Sequence, residues 1–375
     1  METFAITTKI WFGEKALQGL TTINNQKIFV VADPFLTESD GIKEIVKHLE
    51  GNQYLIFDDI IPDPPIDKII AGITAMNDFQ ANKIIAVGGG SAIDAAKAMK
   101  YFNNKIADNQ VDCFIAIPTT SGTGSEVTNF SVITIPQTAT KYPLVTDEIQ
   151  PDIAILDTDL VMGVPPKVTA DTGMDVLTHI IEAYVSTKAT IFSDAYCEKA
   201  IKLVFDYLET AYCEGENREA RSMMHLASCL AGIAFNQASL GINHSIAHAT
   251  GAKLHVPHGR MNTILMPAVI ACNSQLAATG ALENSAAKKY QQLANLLGAE
   301  TNNPRVGVNY LIRKIVKLRK ALDMPATLSE FGIEKEQVSS LIPEIAEAAL
   351  VDGCTATNPR QPTISDLQEI IKEIL

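Results

Sequence analysis

The chain has 375 residues, 47% of them hydrophobic and 19% charged, with 30 Lys and Arg against 43 Asp and Glu for a net charge of −13. That apolar content excludes intrinsic disorder, the acidic balance argues against a nucleic-acid partner, and no run of about 18 apolar residues offers a membrane span. The low charged fraction places much of the chain in cores or subunit interfaces, so a homo-oligomer is expected. The start carries no uninterrupted apolar segment with a cleavage site. Six cysteines, at 113, 197, 213, 229, 272 and 354, form no CxxC pair. A cytoplasmic protein with reduced core cysteines is the expectation.

The first half alternates strand and helix. TFAITTKIWF predicts an early strand with Phe4, Ile6, Ile10 and Phe12 on one face. KIFVVAD (27–33) has the continuous apolar run of a strand buried on both sides. A helix near 41–49, the strand QYLIFDDI, a helix over 66–80, the strand KIIAVGGG, a helix over 91–102 and the strand CFIAIP follow. This order predicts a parallel sheet covered by helices. After Pro165-Pro166 the pattern becomes helical, with 3.6-residue periods over 176–186, 194–210, 219–236, 284–297, 308–322 and 343–350. The last helix opens at a cap in Thr363-Ile-Ser-Asp366. The expected organisation is an α/β domain over 1–166 and an all-helical domain over 167–375.

Two loops in the first half could receive a phosphorylated ligand. In AVGGGSAIDAAKAM (86–99) three glycines lie between strand and helix, and Ser91 with Asp94 reads as a capping pair. Such a turn lets phosphate approach the backbone at a helix N-terminus, although it matches neither the GxGxxG fingerprint nor a P-loop. IPTTSGTGSEVTNF (117–130) follows the next strand with a run of Thr, Ser and Gly. Either loop could be only a tight or solvated turn; two such loops on one sheet favour a dinucleotide. Asp33 ends its strand where a carboxylate can bond a ribose hydroxyl, but Asp before Pro34 also suits a plain turn.

The second half carries ionisable groups in a different pattern. In ADTGMDVLTHIIEAYVS, Asp171, Asp175, Thr178, His179 and Glu182 form one polar stripe on an apolar helix, with Asp175 and His179 four residues apart. A buried carboxylate and imidazole are costly unless paired or metal-bound. Four of the seven histidines, His244, His248, His255 and His258, then fall within one short segment. A core role explains one of these more readily than four. One carboxylate with several imidazoles suits a divalent transition metal, and spacing alone does not say which histidines bind it. His48 and His225 lie away from the cluster, and no cysteine has a neighbouring base in sequence.

Taken in order, GGGSAIDAAKAM, PTTSGTGSEVT, TADTGMDVLTHIIEAYVS and HSIAHATGAKLHVPHGRMN resemble the iron-containing (group III) alcohol dehydrogenases, and the resemblance covers essentially the whole chain. It implies a dehydroquinate synthase-like fold with an NAD-binding α/β domain and a helical metal-binding domain. The implied metal ligands are Asp175, His179, His244 and His258, for Fe(2+) or alternatively Zn(2+). His248 corresponds to the proton-relay histidine. Gly89, Gly90 and Ser91 correspond to the pyrophosphate loop, Thr119 and Thr120 to cofactor contacts, and Asp33 to the acidic residue that favours NAD over NADP. Lys141 and Leu160 match further cofactor-contacting positions. The implied reaction is NADH-linked reduction of short-chain aldehydes such as propanal to primary alcohols, and its reverse.

The KYPLV segment and the TNPRQP ending are most similar to the propanediol-utilisation branch of the family, which leaves association with a bacterial microcompartment open. HATG stands where the family has HPLG, and Arg260 where a small or aliphatic residue is usual, so the substrate pocket is open to change without touching the metal set. The apolar residues Ile180, Ile181, Phe235, Ile242, Ile246, Ala247 and Leu254 around the ligands suggest a pocket for an alkyl chain, with Arg260 the one group able to bind a second hydroxyl. Rival readings are a diol or polyol dehydrogenase acting on 1,3-propanediol or glycerol, a dehydroquinate synthase-like lyase, and a non-catalytic metal- and nucleotide-binding scaffold.

Overall fold

A computed structural model describes residues 3–136, 140–280 and 282–375, without the side chains of residues 140, 141 and 252. The chain divides into two compact units, Met1–Val164 and Pro165–Leu375.

Among the described residues the first unit has eight strands: β1 (Lys9–Phe12), β2 (Lys27–Ala32), β3 (Gln53–Phe57), β4 (Lys83–Gly88), β5 (Cys113–Pro118), β6 (Phe130–Ile135), β7 (Thr140–Val145) and β8 (Ile153–Leu156). Six of them form one sheet in the order β1-β8-β5-β4-β2-β3, with every pairing parallel. The long apolar runs of β2, β4 and β5 take the middle, buried on both sides as a parallel sheet requires. Their side chains alternate between two cores. Phe29, Val31, Ile84, Ala86, Phe114 and Ala116 pack with residues of α2 (Ile66–Phe79) and α3 (Gly90–Ile106). Ile28, Val30, Ile85, Val87, Ile115 and Ile117 pack with residues of α1 (Asp40–Lys47) and of the 3₁₀ turn Ala16–Thr22.

Three features differ from the sequence reading. At the sheet edge β1 turns Phe12 outward, 64% exposed, and Ile6 is exposed as well, while Trp11 joins the second core. Trp11 is held there because Gly19 leaves room for its indole ring. The antiparallel hairpin β6–β7 and the short strand β8 carry no strong sequence signal: β7 contains Pro143, and β8 has only four residues. Ser91 and Asp94 do not form a capping box. Gly89 is the N-cap of α3, with no side-chain cap.

The second unit is helical: α4 (Pro166–Val185), α5 (Ile191–Cys213), α6 (Arg218–Ala238), α7 (Ile242–Leu254), α8 (His258–Asn273), α9 (Ser285–Leu296), α10 (Pro304–Ala321), α11 (Leu328–Phe331), α12 (Lys335–Val351) and α13 (Ile364–Glu373). Pro166 opens α4, where its missing N–H costs nothing. The expected start of α13 is present, a capping box between Thr363 and Asp366. Residues from α4, α5, α6, α9 and α10 share one core, and residues from α7, α8, α12 and α13 share another. Among the described residues, no helix is long and apolar enough to cross a membrane. Among the described residues no disulfide joins the six cysteines; Cys197 and Cys229 are buried, whereas Cys213 is exposed and not a core residue.

His225 on α6 is buried, and burial pushes its imidazole down from 6.5 to about 4. Between these values the unfolded chain binds a proton that the folded one refuses, so stability is lost as pH falls from about 6.5 towards 4. The predicted loss is on the order of 3 kcal/mol. Urea unfolding of wild type and His225→Gln between pH 7 and pH 4 checks this: the difference in stability between the two should shrink towards acid. A difference that does not change with pH would mean that His225 is charged inside the fold.

Candidate active site

The polar stripe of α4 is buried, and its members do different things. Asp175 faces a common point with His244 of α7 and His258 of α8, and His179 stands beside it, stacked on His244. One carboxylate oxygen of Asp175 and one ring nitrogen each of His244 and His258 lie within 4.8 Å of one another. Asp175 Oδ1 is 3.8 Å from His244 Nε2 and 3.7 Å from His258 Nε2, and Asp175 Oδ2 is 3.9 Å from His179 Nε2. These separations are too long for hydrogen bonds. The donors instead converge on the amide nitrogen of Asn262, which donates to Asp175 Oδ1 at 2.7 Å and lies 3.1 and 3.2 Å from Nε2 of His244 and His258. Three lone pairs thus face one small electropositive group. Carboxylate and imidazole donors disposed in this way fit a divalent transition metal.

Burial alone would raise the Asp175 carboxyl, but His179, His258, His244 and the Asn262 amide outweigh it and hold the group below its usual range. Burial, with the neighbouring His179 and His258, pushes His244 well below its usual value. The protein therefore presents a carboxylate and a neutral imidazole, the forms that bind a metal.

Close approach of α8 to α4 makes this convergence. A Cβ on Gly259 would fall 2.0 Å from the backbone oxygen of Asp171, so only glycine lets the turn carrying His258 reach Asp175. Glu182, a stripe residue to which the sequence assigned no role, sits behind His244: its Oε2 is 2.5 Å from Nδ1, and its Oε1 accepts from the Asn243 backbone at 2.7 Å. Burial lifts the Glu182 carboxyl to about 7 against those backbone bonds. A carboxylate behind a ligating histidine fixes its tautomer and raises its basicity. Asn262 and Asn243, which bond each other at 2.9 Å, are likewise additions that no spacing rule indicated.

The remaining stripe members are not donors. Thr178 bonds back to the carbonyl of Met174. Asp171 forms a two-point pair with Arg260, Nε to Oδ1 at 2.9 Å and Nη2 to Oδ2 at 3.0 Å, and the guanidinium lies over the Phe331 ring. Arg260 is therefore committed. His255 ends α7 in a left-handed conformation, exposed and apart from the cluster. His248 is near it, its ring 5.9 Å from that of His244 and 5.4 Å from that of His258. Of the seven apolar residues expected around the ligands, six are absorbed into the helical cores, while Phe235 stacks on His179 at 4.6 Å. No cysteine has a neighbouring base along the chain, yet Cys354 lies with His248 and Asp352 in a second close group.

In the first unit, the glycine turn meets Asp33. Its Oδ2 accepts from Gly89 N at 2.9 Å, and it caps no turn by its side chain. Gly88 has φ +157°, and a Cβ there would fall 2.4 Å from the same carboxylate oxygen, so glycine is required. Burial raises the Asp33 carboxyl against the Gly89 bond. Thr119 N donates to Gly88 O at 3.0 Å, and Thr120 stands beside Gly89. Leu160 packs against Gly41 and the second core, and the Lys141 side chain lies outside the described residues.

Lys97, fully buried, and Asp94, partly buried, join the helix after the glycine turn to the second loop. Lys97 donates to Ser125 Oγ at 2.8 Å, Thr128 Oγ1 at 3.0 Å and the Phe130 carbonyl at 2.8 Å. Asp94 accepts from Ser125 Oγ at 2.6 Å and from Val132 N at 2.9 Å. Burial brings Lys97 down to about 8 and Glu126 up to about 7.

Comparison with known proteins gives a consistent result. Residues 7–158 match the family described as iron-containing alcohol dehydrogenase, and residues 169–375 match the C-terminal part of the Fe-containing alcohol dehydrogenase family. The chain is 42% identical to a 1-propanol dehydrogenase of Citrobacter freundii, with 100% of both chains covered. It is 38% identical to an NADPH-dependent butanol dehydrogenase of Clostridium saccharobutylicum, over 99% of this chain and 97% of the other. A crystal structure of a 1,3-propanediol oxidoreductase superposes with a TM-score of 0.92 at 30% identity, covering 100% of both chains.

Asp175→Ala and His258→Ala are each expected to abolish metal binding with the fold retained. Glu182→Gln should weaken binding by roughly 10–100-fold. Titration against a chromogenic chelator, with circular dichroism as the folding control, reads all three. Full metal affinity in any one would remove that residue from the assignment.

Proposed function

The chain belongs to the iron-containing alcohol dehydrogenase family, and on that premise we propose that it interconverts short unbranched aldehydes and primary alcohols with NADH as hydride donor. It is an iron-dependent alcohol dehydrogenase. The observation that carries it is the convergence of Asp175, His244 and His258 on one point, with His179 beside them.

When bound, a divalent metal at these four residues supplies Lewis acidity towards a carbonyl oxygen, and NADH supplies the hydride. The chain's own residues supply the rest. Glu182 orients His244, and His248 holds the proton that the reduced oxygen receives. The first-turn amides at Gly90 and Ser91 face the pyrophosphate, with Gly89, Thr119 and Thr120 beside it. Asp33 faces the ribose, and Lys141 and Leu160 complete the nucleotide contacts.

The alkyl preference rests on Arg260 and Phe235. A site that selects a hydroxylated substrate needs a polar partner for the second hydroxyl, and losing such a bond costs on the order of 10⁴-fold in discrimination. Arg260, the one candidate from the sequence, already has its Nε and Nη2 donors on Asp171. Phe235 offers an apolar ring beside His179. We extend the reading to a homo-oligomer on the low charged fraction, with microcompartment association as its cellular counterpart; sedimentation of the purified protein tests the first.

Steady-state kcat/KM for propanal and 3-hydroxypropanal, both with NADH, tests the substrate. Propanal should be preferred; a tenfold preference for the hydroxyaldehyde would replace this reading with a diol dehydrogenase. Nucleotide choice is tested separately, because one relative carries NADPH in its name. Asp33→Gly should raise kcat/KM for NADPH relative to NADH, since it removes a charge that repels a 2′-phosphate. An unchanged ratio would confine Asp33 to holding the Gly89 amide.

A further inference from the structure

His244 and His248 stand one turn apart on α7, and each carries a carboxylate on Nδ1. Glu182 Oε2 is 2.5 Å from Nδ1 of His244, and Asp352 Oδ2 is 3.0 Å from Nδ1 of His248. Only the first imidazole places Nε2 against Asp175 and Asn262. Asp352 comes from the segment after α12, 104 residues from His248 in sequence, and is fixed on its other oxygen. Oδ1 accepts from the Cys354 backbone N–H at 2.9 Å and from Ser245 Oγ at 3.1 Å. Ser245, fully buried, is met in turn by Thr355 Oγ1 at 2.8 Å, which also bonds the Ala349 carbonyl at 2.6 Å. A partly exposed histidine on one helix is thereby tied to an anchored carboxylate from a distant segment.

We propose that Asp352 is the positioning residue of His248: its Oδ2 accepts the Nδ1 proton, so that the neutral ring keeps Nε2 as the free acceptor and proton transfer takes place at that atom. The proposal rests on the reading of His248 as the proton relay. In the reduction direction, hydride from NADH reaches the carbonyl carbon and the carbonyl π bond breaks towards oxygen. The oxygen takes the Nε2 proton of the imidazolium, and the ring is left neutral with Nδ1–H on Asp352. In oxidation, Nε2 takes the proton back. The other tautomer, with the proton on Nε2 and Nδ1 bare, would set a lone pair against a carboxylate and could accept nothing at Nε2.

The hydrogen bonds around Asp352 make Asp352→Asn a directed test. The Cys354 backbone N–H can only donate, so the new amide must present its carbonyl oxygen there. Its NH₂ group is then turned towards Nδ1 of His248, which becomes an acceptor, and the ring proton moves to Nε2. Volume and backbone contacts are preserved, so the fold is kept. In the zinc-loaded, full-length enzyme with ¹⁵N-histidine, the His248 signal, identified by its loss in His248→Gln, should report a proton on Nδ1 in wild type and on Nε2 in Asp352→Asn. With propanal, kcat should fall roughly 10²–10⁴-fold, while KM for NADH and zinc content stay at wild-type values.

The same tautomer in both proteins would overturn the proposal, as would an unchanged kcat in Asp352→Asn beside an impaired His248→Gln. Full activity in His248→Gln would instead sink the relay reading, and the tautomer measurement would then decide alone whether Asp352 sets the ring. A second equivalent of zinc per chain, lost in both Asp352→Asn and Cys354→Ser, would make Asp352 a ligand and overturn its positioning role.

Discussion

The arrangement on which the second unit depends is a buried carboxylate faced by imidazoles. Asp175 is 5% exposed, and His179 and His244 beside it are as deeply buried. A lone carboxylate so placed would take up a proton, since burial disfavours its charge. Here the surrounding imidazoles and the Asn262 amide reverse that tendency. The consequence reaches the backbone: α8 must come close enough to α4 to set His258 against Asp175, and this makes Gly259 obligatory. A methyl group there would push against a carbonyl, which unlike a flexible side chain cannot swing aside.

A second layer gives the donors their direction. Glu182 serves His244, Asn262 bridges three donors, and Asn243 joins both through its backbone and its side chain. Removing one partner from such a network leaves a buried polar group unpaired, which costs more than a typical hydrogen bond contributes. The first unit uses the same device for a different purpose. Lys97 and Asp94 tie the start of α3 to the 125–132 segment, so the two loops read as nucleotide contacts are held by one network of hydrogen bonds around Ser125. A charge sunk that deeply is tolerated because Lys97 spends all three N–H donors.

What the sequence could disclose follows from the range of the interaction. The parallel strands were legible because continuous apolar runs mark burial on both faces, and the stripe on α4 because helical spacing gathers residues locally. The histidine cluster was visible because four lie within fifteen residues. Partners more than a hundred residues apart leave no such trace: Asp352 meets His248 only in the folded chain. Residue type was also a poor guide to role within one stripe. Asp171 and Asp175 share a face and a helix, yet one neutralises Arg260 and the other faces imidazoles. The alternation gathered Ile10 and Phe12 on one face of β1 and left open which face meets the core, because a period of two does not tell the two faces of an edge strand apart.

Arg260 shows how such a pair can shape chemistry without taking part in it. A guanidinium within two residues of His258 would repel a metal cation and attract any acidic or hydroxylated ligand if its charge were free. Its two-point pairing with Asp171 cancels that charge locally, and stacking on Phe331 holds the plane in place. Burial pulls the Asp171 carboxyl upward while Arg260 beside it pulls it part of the way back. Arg260 therefore does not bring a new polar hand to the site. Arg260 and Asp171 come as a unit, and replacing either alone would leave a buried charge beside the metal donors.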